Sequence, residues 1–320
     1  MSANEPARQN ETATHPGPMN PAEFKKRLVE FARGASTEIS TMDEQLLPTL
    51  ATKIPAGTQV YVAHTPKATL EDVVRVAIKV QQLGFRASPH IVARRQVSEH
   101  GLRAGLKELV ENGVEQCLLV AGDLEKPLGK FMSTLEIIDS GALTDAGIKR
   151  IGVAGHPEGH KQVGMQTLWD ALKYKQEFGQ KSGIKVHIAT QFGFDPNAIL
   201  AWSQQLVKHG INLPAYVGVA GPTPLPKLIK FAMACGVGAS LGSLMKNMTA
   251  MSKLARLATT PDAMLMGLVQ GGAGTPGNPL VHPHFYAFGG TVATSNWMRA
   301  VVDGNFEMPA DGGDKFVMDA

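Results

Sequence analysis

Two carboxylates stand where short apolar runs of the sequence end, and each could serve proton transfer or charge stabilisation. Glu38 lies in ASTEIS among small neutral residues, and Asp123 follows Gly122 after QCLLVA. The neighbours of Glu38 make it a candidate for a raised pKa and for general-acid catalysis. Gly122 lets the backbone beside Asp123 approach a ligand, which makes Asp123 a second candidate for the site. The structural alternatives are a solvent-facing or arginine-paired Glu38 and a turn-forming Gly-Asp.

The stretch KVHIATQFGFDP changes character along its length. Its first half suits a buried strand, and its second half places Gln191 beside Phe192 and Phe194. An amide next to aromatic rings suits a planar heteroaromatic ligand, so we expect Gln191 and Phe194 to contact substrate. Pro196 then opens a helix, with Asp195 as its predicted N-cap. An ordinary strand-to-helix junction is the alternative.

Histidines cluster in two short motifs. GHPEGH contributes His156 and His160, and HPH contributes His282 and His284. Together they could build a metal site, but a histidine at a strand end more often forms hydrogen bonds. We therefore predict no metal. His90, in SPHIVA, is either a core histidine or a ligand contact.

One glycine motif has the spacing of a dinucleotide-binding turn but lies in a sequence context that does not fit one. Gly272, Gly274 and Gly277 have the G-x-G-x-x-G spacing of dinucleotide-binding turns. The preceding segment reads as a helix, and NPLVHPH after it cannot open one. We interpret the segment as a flexible loop.

Strand-like and helix-like segments alternate along the chain. Asn20-Pro21 caps a first helix, and Thr69 with Asp72 forms a capping box before another. The predicted strands are 35–40, 57–63, 86–93, 116–121, 150–155, one from 185, 215–220 and 284–288. The predicted helices between and after them are 42–50, 69–83, 99–111, 133–146, 167–178, 196–209, 225–257 and 294–302.

This alternation predicts an α/β fold, either a closed (βα)8 barrel or an open doubly wound sheet. Polar residues follow nearly every strand, which favours a ring of catalytic loops and hence a single TIM barrel. We expect a disordered tail at 1–19, the barrel with an extra N-terminal helix at 20–305, and a flexible tail at 306–320.

Composition narrows the class of protein. The chain has 320 residues, 43% of them hydrophobic, and a formal charge of +3 without a long basic run, so we expect no nucleic-acid partner. No apolar run reaches membrane-spanning length, and the first residues do not resemble a secretory signal. Cys117 and Cys235 lack metal-ligand spacing. We expect reduced thiols, a cytoplasmic location and no membrane contact. A homo-oligomer is compatible with the sequence.

The order of these motifs resembles the methylenetetrahydrofolate reductase family. The resemblance covers about 35–302 and rests on motifs that are weak singly but fall on successive strands. They are Thr37-Glu38-Ile39, Pro89-His90, Gly122-Asp123-Leu124, His156 to His160, Thr190 to Asp195 and His284-Phe285-Tyr286.

The resemblance implies a barrel that holds FAD and passes hydride from NADH or NADPH to 5,10-methylenetetrahydrofolate. Glu38 matches the general acid, Asp123 the aspartate between flavin and pterin, and Gln191 the pterin-binding glutamine. Positions that match cofactor contacts are His90, Gly122, Asp123, His156, His160 and Lys175.

Several positions depart from the family pattern. Ala121 replaces an arginine, Ala63 a threonine, and His156 a tyrosine. Further departures are Ile91 to Ala93, Gly193 and Gly289-Gly290. Because several of these positions are flavin or folate contacts in the family, an alternative hypothesis is a barrel reductase that transfers hydride directly to the folate without flavin. A metal-dependent hydrolase and a non-catalytic folate-binding protein are the remaining alternatives.

Overall fold

The computed structural model describes residues 20–235, 237, 258–309, 313 and 315–318. The predicted tail at 1–19 lies outside these residues. So does nearly all of the predicted helical region 225–257 that follows Cys235.

Eight parallel strands close into a barrel in which each strand pairs with its sequence neighbours and the first pairs with the last. The predicted (βα)8 barrel is therefore confirmed, and the open sheet is excluded. The strands are β1 (Ser36–Ser40), β2 (Gln59–Ala63), β3 (Arg86–Val92), β4 (Gln116–Val120), β5 (Arg150–Gly155), β6 (Lys185–Thr190), β7 (Ala215–Ala220) and β8 (Leu280–Tyr286).

Helices cover the outside of the barrel. They are α1 (Pro21–Arg33), α2 (Leu47–Lys53), α3 (Leu70–Gln82), α4 (Glu99–Glu111), α5 (Thr134–Asp139), α6 (Ala142–Ala146), α7 (Met165–Ser182), α8 (Pro196–Lys208), α9 (Leu225–Cys235), α10 (Asp262–Gln270) and α11 (Thr291–Asp303).

The helix starts follow the predicted capping chemistry. The Asn20 side chain accepts the Glu23 amide at 2.8 Å at the start of α1. Thr69 and Asp72 form both halves of the capping box on α3. Asp195 accepts the Asn197 amide at 2.9 Å at the start of α8. Each contact satisfies a first-turn N–H that has no partner within its helix.

The predicted extents of two helices were wrong. The segment 133–146 is split into α5 and α6 because Gly141 takes a left-handed φ of 74° between them. The segment after β1 begins as a 3-10 helix, Thr41–Leu46, before α2. Asp43 accepts both the backbone N–H and the hydroxyl of Ser40 there, which favours the tight turn.

The barrel interior is largely polar, whereas the outer faces of the strands are apolar. Inside, the Tyr61 hydroxyl lies 2.7 Å from His187 Nε2 and accepts the Gln59 amide at 2.7 Å. Ser36 Oγ lies 2.9 Å from His284 Nδ1. Because buried polar groups are costly unless paired, these contacts specify how the strands meet at the centre.

The predicted C-terminal tail contains packed residues. Phe306–Glu307 pairs antiparallel with Val317–Met318, and the rings of Phe306 and Phe316 are buried. Asp262, at the start of α10, accepts the Phe316 amide and Trp297 Nε1, both at 3.1 Å. Burial raises the pKa of Asp262. The described part of this segment is thus held against α10 and α11, while the domain limits themselves stay a prediction.

The glycine motif forms the loop between α10 and β8, as predicted. Gly272, Gly274 and Gly277 all have positive φ, and the segment leads into a strand instead of a helix. It therefore lacks the helix N-terminus that a dinucleotide-binding turn requires.

Among the described helices, none is both long enough and apolar enough to cross a bilayer.

Candidate active site

Glu38 and His90 form a pair inside the mouth of the barrel. The parallel strands β1 and β3 bring Glu38 Oε2 to 3.3 Å from His90 Nε2. This contact is longer than a well-aligned hydrogen bond, and His90 Nε2 has no better partner among the described residues. The pair joins the predicted general acid to a predicted cofactor contact.

The protonation of Glu38 differs from the sequence-based expectation. Burial raises the pKa of Glu38, but the contact with His90 and the charges of His90 and His284 together outweigh burial, so the pKa is lowered. The expected rise in pKa was therefore wrong. It considered the small neighbours of Glu38 along its strand and not the imidazoles that β3 and β8 bring beside it.

Four further titratable groups interact electrostatically with Glu38. His284 and Tyr286 come from β8, Tyr61 from β2, and Cys235 from the end of α9. Burial raises the pKa of both tyrosines well above its ordinary value, and the Glu38 charge adds to the effect. The Tyr286 hydroxyl donates to the Thr190 carbonyl at 2.9 Å, which ties β8 to β6. Tyr61 was not predicted from the sequence, although its inward-facing position in β2 could have indicated it.

Gln191 lies at the mouth and is bonded to the end of α9. Its Nε2 donates to the Cys235 carbonyl at 2.5 Å. Lys161, in the loop after β5, donates to the Met233 carbonyl at 3.3 Å. Two side chains thus satisfy carbonyls in the last turn of α9, where no intrahelical partner exists.

Five aromatic rings pack together next to Gln191. We call them the mouth aromatic cluster, and they are Phe192, Phe194, Phe231, Tyr286 and Phe288. Phe288 stacks on Phe231 with ring centroids 4.6 Å apart, and it contacts Phe192 edge-on at 4.9 Å. Phe288 has a φ of 46°, the left-handed conformation that a bulky side chain rarely adopts. Such strain persists where the surrounding packing enforces it, and it is common at ligand sites.

Asp123 is held by an arginine that the sequence analysis did not identify. Arg95 donates to Asp123 Oδ1 at 2.8 Å, with the arginine largely buried and the carboxylate largely exposed. Partial burial raises the pKa of Asp123, but the Arg95 contact outweighs it and the pKa is lowered. Gly122 has a φ of 93°, and a Cβ there would lie 2.5 Å from Val92 Cγ1. Only glycine fits this turn.

His156, His160 and Lys175 form a second group on the β5 side of the mouth. The two imidazole rings lie 5.2 Å apart, edge to face. Burial, helped by the charges of His160 and Lys175, lowers the pKa of His156 to about 4. Lys175, on α7, is buried, and burial lowers its pKa to about 8. No carboxylate pairs with Lys175 among the described residues.

The histidine motifs do not converge on a metal-binding arrangement within the described part of the chain. No group of three His, Cys, Asp or Glu side chains there is placed to hold an ion. His282 instead contacts the Phe31 carbonyl through Nδ1 at 3.0 Å.

The family model for methylenetetrahydrofolate reductase matches residues 40–253, starting just after Glu38. The 5,10-methylenetetrahydrofolate reductase of Pectobacterium carotovorum subsp. carotovorum is 28% identical over 159 residues, which cover 49% of this chain and 51% of that protein. The match thus spans about half the length of that curated relative.

Two solved structures illustrate more distant similarity. Dihydropteroate synthase from Thermus thermophilus is 12% identical, with 84% of this chain and 92% of that chain covered and a TM-score of 0.46. An oxaloacetate acetylhydrolase in complex with oxalate is also 12% identical, with 84% and 81% covered and a TM-score of 0.43. The family model covers well over half of the chain, and the chain therefore belongs to the methylenetetrahydrofolate reductase family.

Proposed function

We propose that the protein is a methylenetetrahydrofolate reductase that passes hydride from NADH or NADPH, through FAD, to 5,10-methylenetetrahydrofolate. The observation that carries the proposal is the Glu38–His90 pair beside Gln191 and the mouth aromatic cluster. This arrangement offers a proton donor, an amide for a heterocycle edge and a stacking surface within one barrel mouth. Membership of the family supports the same reaction.

Glu38 and His90 would supply the proton that the folate needs. His90 Nε2 lies 3.3 Å from Glu38 Oε2, close enough for a proton to pass between them. As the folate enters, the proton moves from His90 to Glu38 and then to N10 of the folate. The bond between N10 and the bridging methylene breaks, and the methylene becomes an iminium on N5. Hydride addition to that carbon gives 5-methyltetrahydrofolate. In the opposite direction, the Glu38 carboxylate would accept the N10 proton.

Gln191 and Phe194 would orient the folate. A glutamine amide both donates and accepts, which matches the mixed edge of a pterin ring. To donate to the pterin with both of its N–H groups, the Gln191 amide would give up the Cys235 carbonyl. Phe194 packs edge-on against Phe192 at 5.7 Å, and rings in this arrangement can hold a planar ligand by stacking.

The residues present fit FAD on two observations. Lys175 is a buried cation without a carboxylate partner among the described residues, which suits an anionic phosphate, and His156 and His160 lie beside it. Gly122 presents backbone without a side chain in the turn after β4, where a flavin ring could approach it. His90 and Asp123 complete the proposed contacts, with the Asp123 charge favouring a cationic iminium. The chemistry that FAD supplies when bound is hydride transfer between the nicotinamide and the folate.

An absorption spectrum of the purified protein tests this function. We expect a flavin band that bleaches when NADH is added without oxygen and returns when methylenetetrahydrofolate follows. Folate-dependent NADH oxidation without any flavin, even after reconstitution with FAD, would replace the proposal with direct hydride transfer. Absence of both signals would refute the reductase function.

A further inference from the structure

A cavity of about 680 Å³ lies at the end of the barrel opposite the mouth, where the strands begin. We call it the basal cavity. Its lining includes the first residues of four neighbouring strands, which are Arg86 of β3, Gln116 of β4, Arg150 of β5 and Lys185 of β6. The volume is typical of small-molecule sites in proteins. None of these four residues takes part in the proposed reaction.

Three of the four are cations that face the barrel axis. Successive side chains of a strand point to opposite faces, and the next residue on each of these strands packs in the core between strands and helices. Those next residues are Ala87, Ile151 and Val186. Arg86, Arg150 and Lys185 therefore face inward. In the parallel register Arg150 stands directly beside Lys185, so two like charges lie on adjacent strands and repel each other.

The lining of the basal cavity does not neutralise these charges. Glu115 is the one carboxylate among the lining residues, and it forms an ion pair with Lys149 at the rim. Arg86 donates through Nε to a backbone carbonyl at 2.8 Å. The side chains of Arg150 and Lys185 form no hydrogen bond or ion pair with a described residue. Four cations and one carboxylate give the lining a formal charge of +3.

The layer of side chains above the cations supplies no negative charge. Tyr61 and His187 lie there on the barrel axis, with the tyrosine hydroxyl 2.7 Å from the imidazole Nε2. Burial raises the pKa of Tyr61 well above its ordinary value and lowers the pKa of His187 to about 3, so both are neutral near pH 7. Gln116 is buried, and its amide donates one N–H to the Arg86 carbonyl at 3.3 Å. A second N–H of that amide remains for a ligand.

Helix ends account for only part of the positive charge. The turns after α4, α6 and α7 line the basal cavity at Gly113, Gly147 and Gly183, and the carbonyls at a helix C-terminus attract cations. Arg150 and Lys185 project instead from strands toward the axis, and neither side chain donates to a carbonyl among the described residues. Attraction to helix ends therefore does not explain why these two cations lie side by side.

We propose that the basal cavity binds a phosphorylated small molecule, whose phosphate lies between Arg150 and Lys185 with Gln116 as a further donor. A phosphate group carries about −1.5 to −2 near pH 7, so it offsets more of the positive charge than one carboxylate does. The planar guanidinium of Arg150 can donate two parallel hydrogen bonds to phosphate oxygens. One phosphate fills only part of about 680 Å³, which leaves room for an organic part of nucleoside size.

Calorimetric titration of the protein with excess FAD present tests the site. We expect inorganic pyrophosphate to bind with a Kd of about 0.1 mM or less at low salt, and ADP to bind more tightly. Arg150→Gln and Lys185→Gln should each weaken pyrophosphate binding about 10–100-fold, because each removes a charged hydrogen bond. Lys208→Gln is the matched control, since Lys208 is exposed and lies outside the cavity lining. It should bind pyrophosphate as the wild type does.

Other binding results would overturn the proposal. Equal affinity for pyrophosphate in the wild type and all three variants would do so. Binding that is lost in Lys175→Met but kept in the two basal variants would place the anion at the mouth instead. A Kd above about 10 mM for both probes would also overturn it. Pyrophosphate binding without any gain for ADP would refute the organic part of the ligand.

The stability of the ligand-free variants distinguishes a binding role from a structural one. Arg150→Gln and Lys185→Gln should each raise the thermal midpoint by about 1–2 °C at low salt, because one of two adjacent like charges is removed. The gain should shrink in about 0.5 M NaCl, which screens the repulsion, and in saturating pyrophosphate. A lower midpoint would show that the cations serve the fold and would overturn the proposal. If Arg150→Gln failed to fold, Lys185→Gln, at an exposed position, would decide.

Discussion

Replacing Lys175 with methionine is expected to stabilise the ligand-free protein and to weaken FAD binding. The pKa of Lys175 is about 8, roughly 2.5 below its ordinary 10.5, because the ammonium is buried and no carboxylate among the described residues pairs with it. That difference corresponds to about 3 kcal/mol of destabilisation when the lysine is charged in both the folded and the unfolded state. Methionine has a similar apolar length and no charge. We expect a gain of about 1–3 kcal/mol in the free energy of unfolding near pH 7.

The pH dependence gives the sign of the effect. Below the folded pKa of about 8, Lys175 is charged in both states and the full penalty applies. Between this value and 10.5 the folded protein loses the proton first, so the penalty shrinks and the advantage of Lys175→Met should disappear. FAD affinity should fall about 10–100-fold, since a charged hydrogen bond to phosphate is lost.

Urea denaturation of the apoprotein near pH 7 and near pH 10, followed by tryptophan fluorescence, would measure the stability difference. Quenching of flavin fluorescence would measure FAD binding. Lys181→Met is the matched control, because Lys181 lies on the same helix, is 79% exposed and contacts Glu177 at 3.6 Å. A loss of stability in Lys175→Met, a gain independent of pH, or unchanged FAD affinity would refute the reasoning.

Three further predictions concern carboxylates. Glu38→Gln should abolish proton delivery and slow folate turnover by about 10²–10⁴-fold, while flavin reduction by the nicotinamide continues. Rapid-mixing spectroscopy would measure the two half-reactions separately, and full folate turnover would contradict the mechanism. Asp123→Asn should slow the folate step by about tenfold or more without loss of bound flavin, since it removes a charge beside the iminium. An unchanged rate in single-turnover kinetics would show that Asp123 does not stabilise the iminium. Asp262→Ala should lower the free energy of unfolding by about 1–3 kcal/mol, because the N–H groups of Trp297 and Phe316 lose their acceptor. Denaturant titration would measure this change, and an unchanged free energy of unfolding would show that the contact contributes little.

The barrel could be predicted because each strand carries its own signal. Short β-branched runs, proline at the start of α8 and the capping box of α3 are local features, and the structure has all of them. The break between α5 and α6 was missed because the sequence does not show that Gly141, within a helical pattern, takes a positive φ. The packed residues Phe306 and Phe316 were missed because two isolated aromatics in a polar segment have no periodicity.

The site was predictable by residue type but not by pairing. Glu38, His90 and Gln191 were expected at the mouth, yet the sequence does not specify that His90 reaches Glu38 or that Gln191 contacts Cys235. Those contacts depend on strand register and on the path of α9. The pKa of Glu38 depends on them as well, which explains why its direction was predicted wrongly.

The bond between Gln191 and the Cys235 carbonyl implies a competition at the mouth of the barrel. The structure has this bond closed, and a ligand that takes up the same N–H requires it open. If the closed state is favoured by about 1 kcal/mol, the apparent affinity for any ligand that needs the amide falls about fivefold. A ligand that only stacks on the aromatic rings leaves this bond closed and avoids that cost. The closed contact therefore reduces, by the same factor, the advantage that a hydrogen-bonding edge gives a ligand over a ring that only stacks.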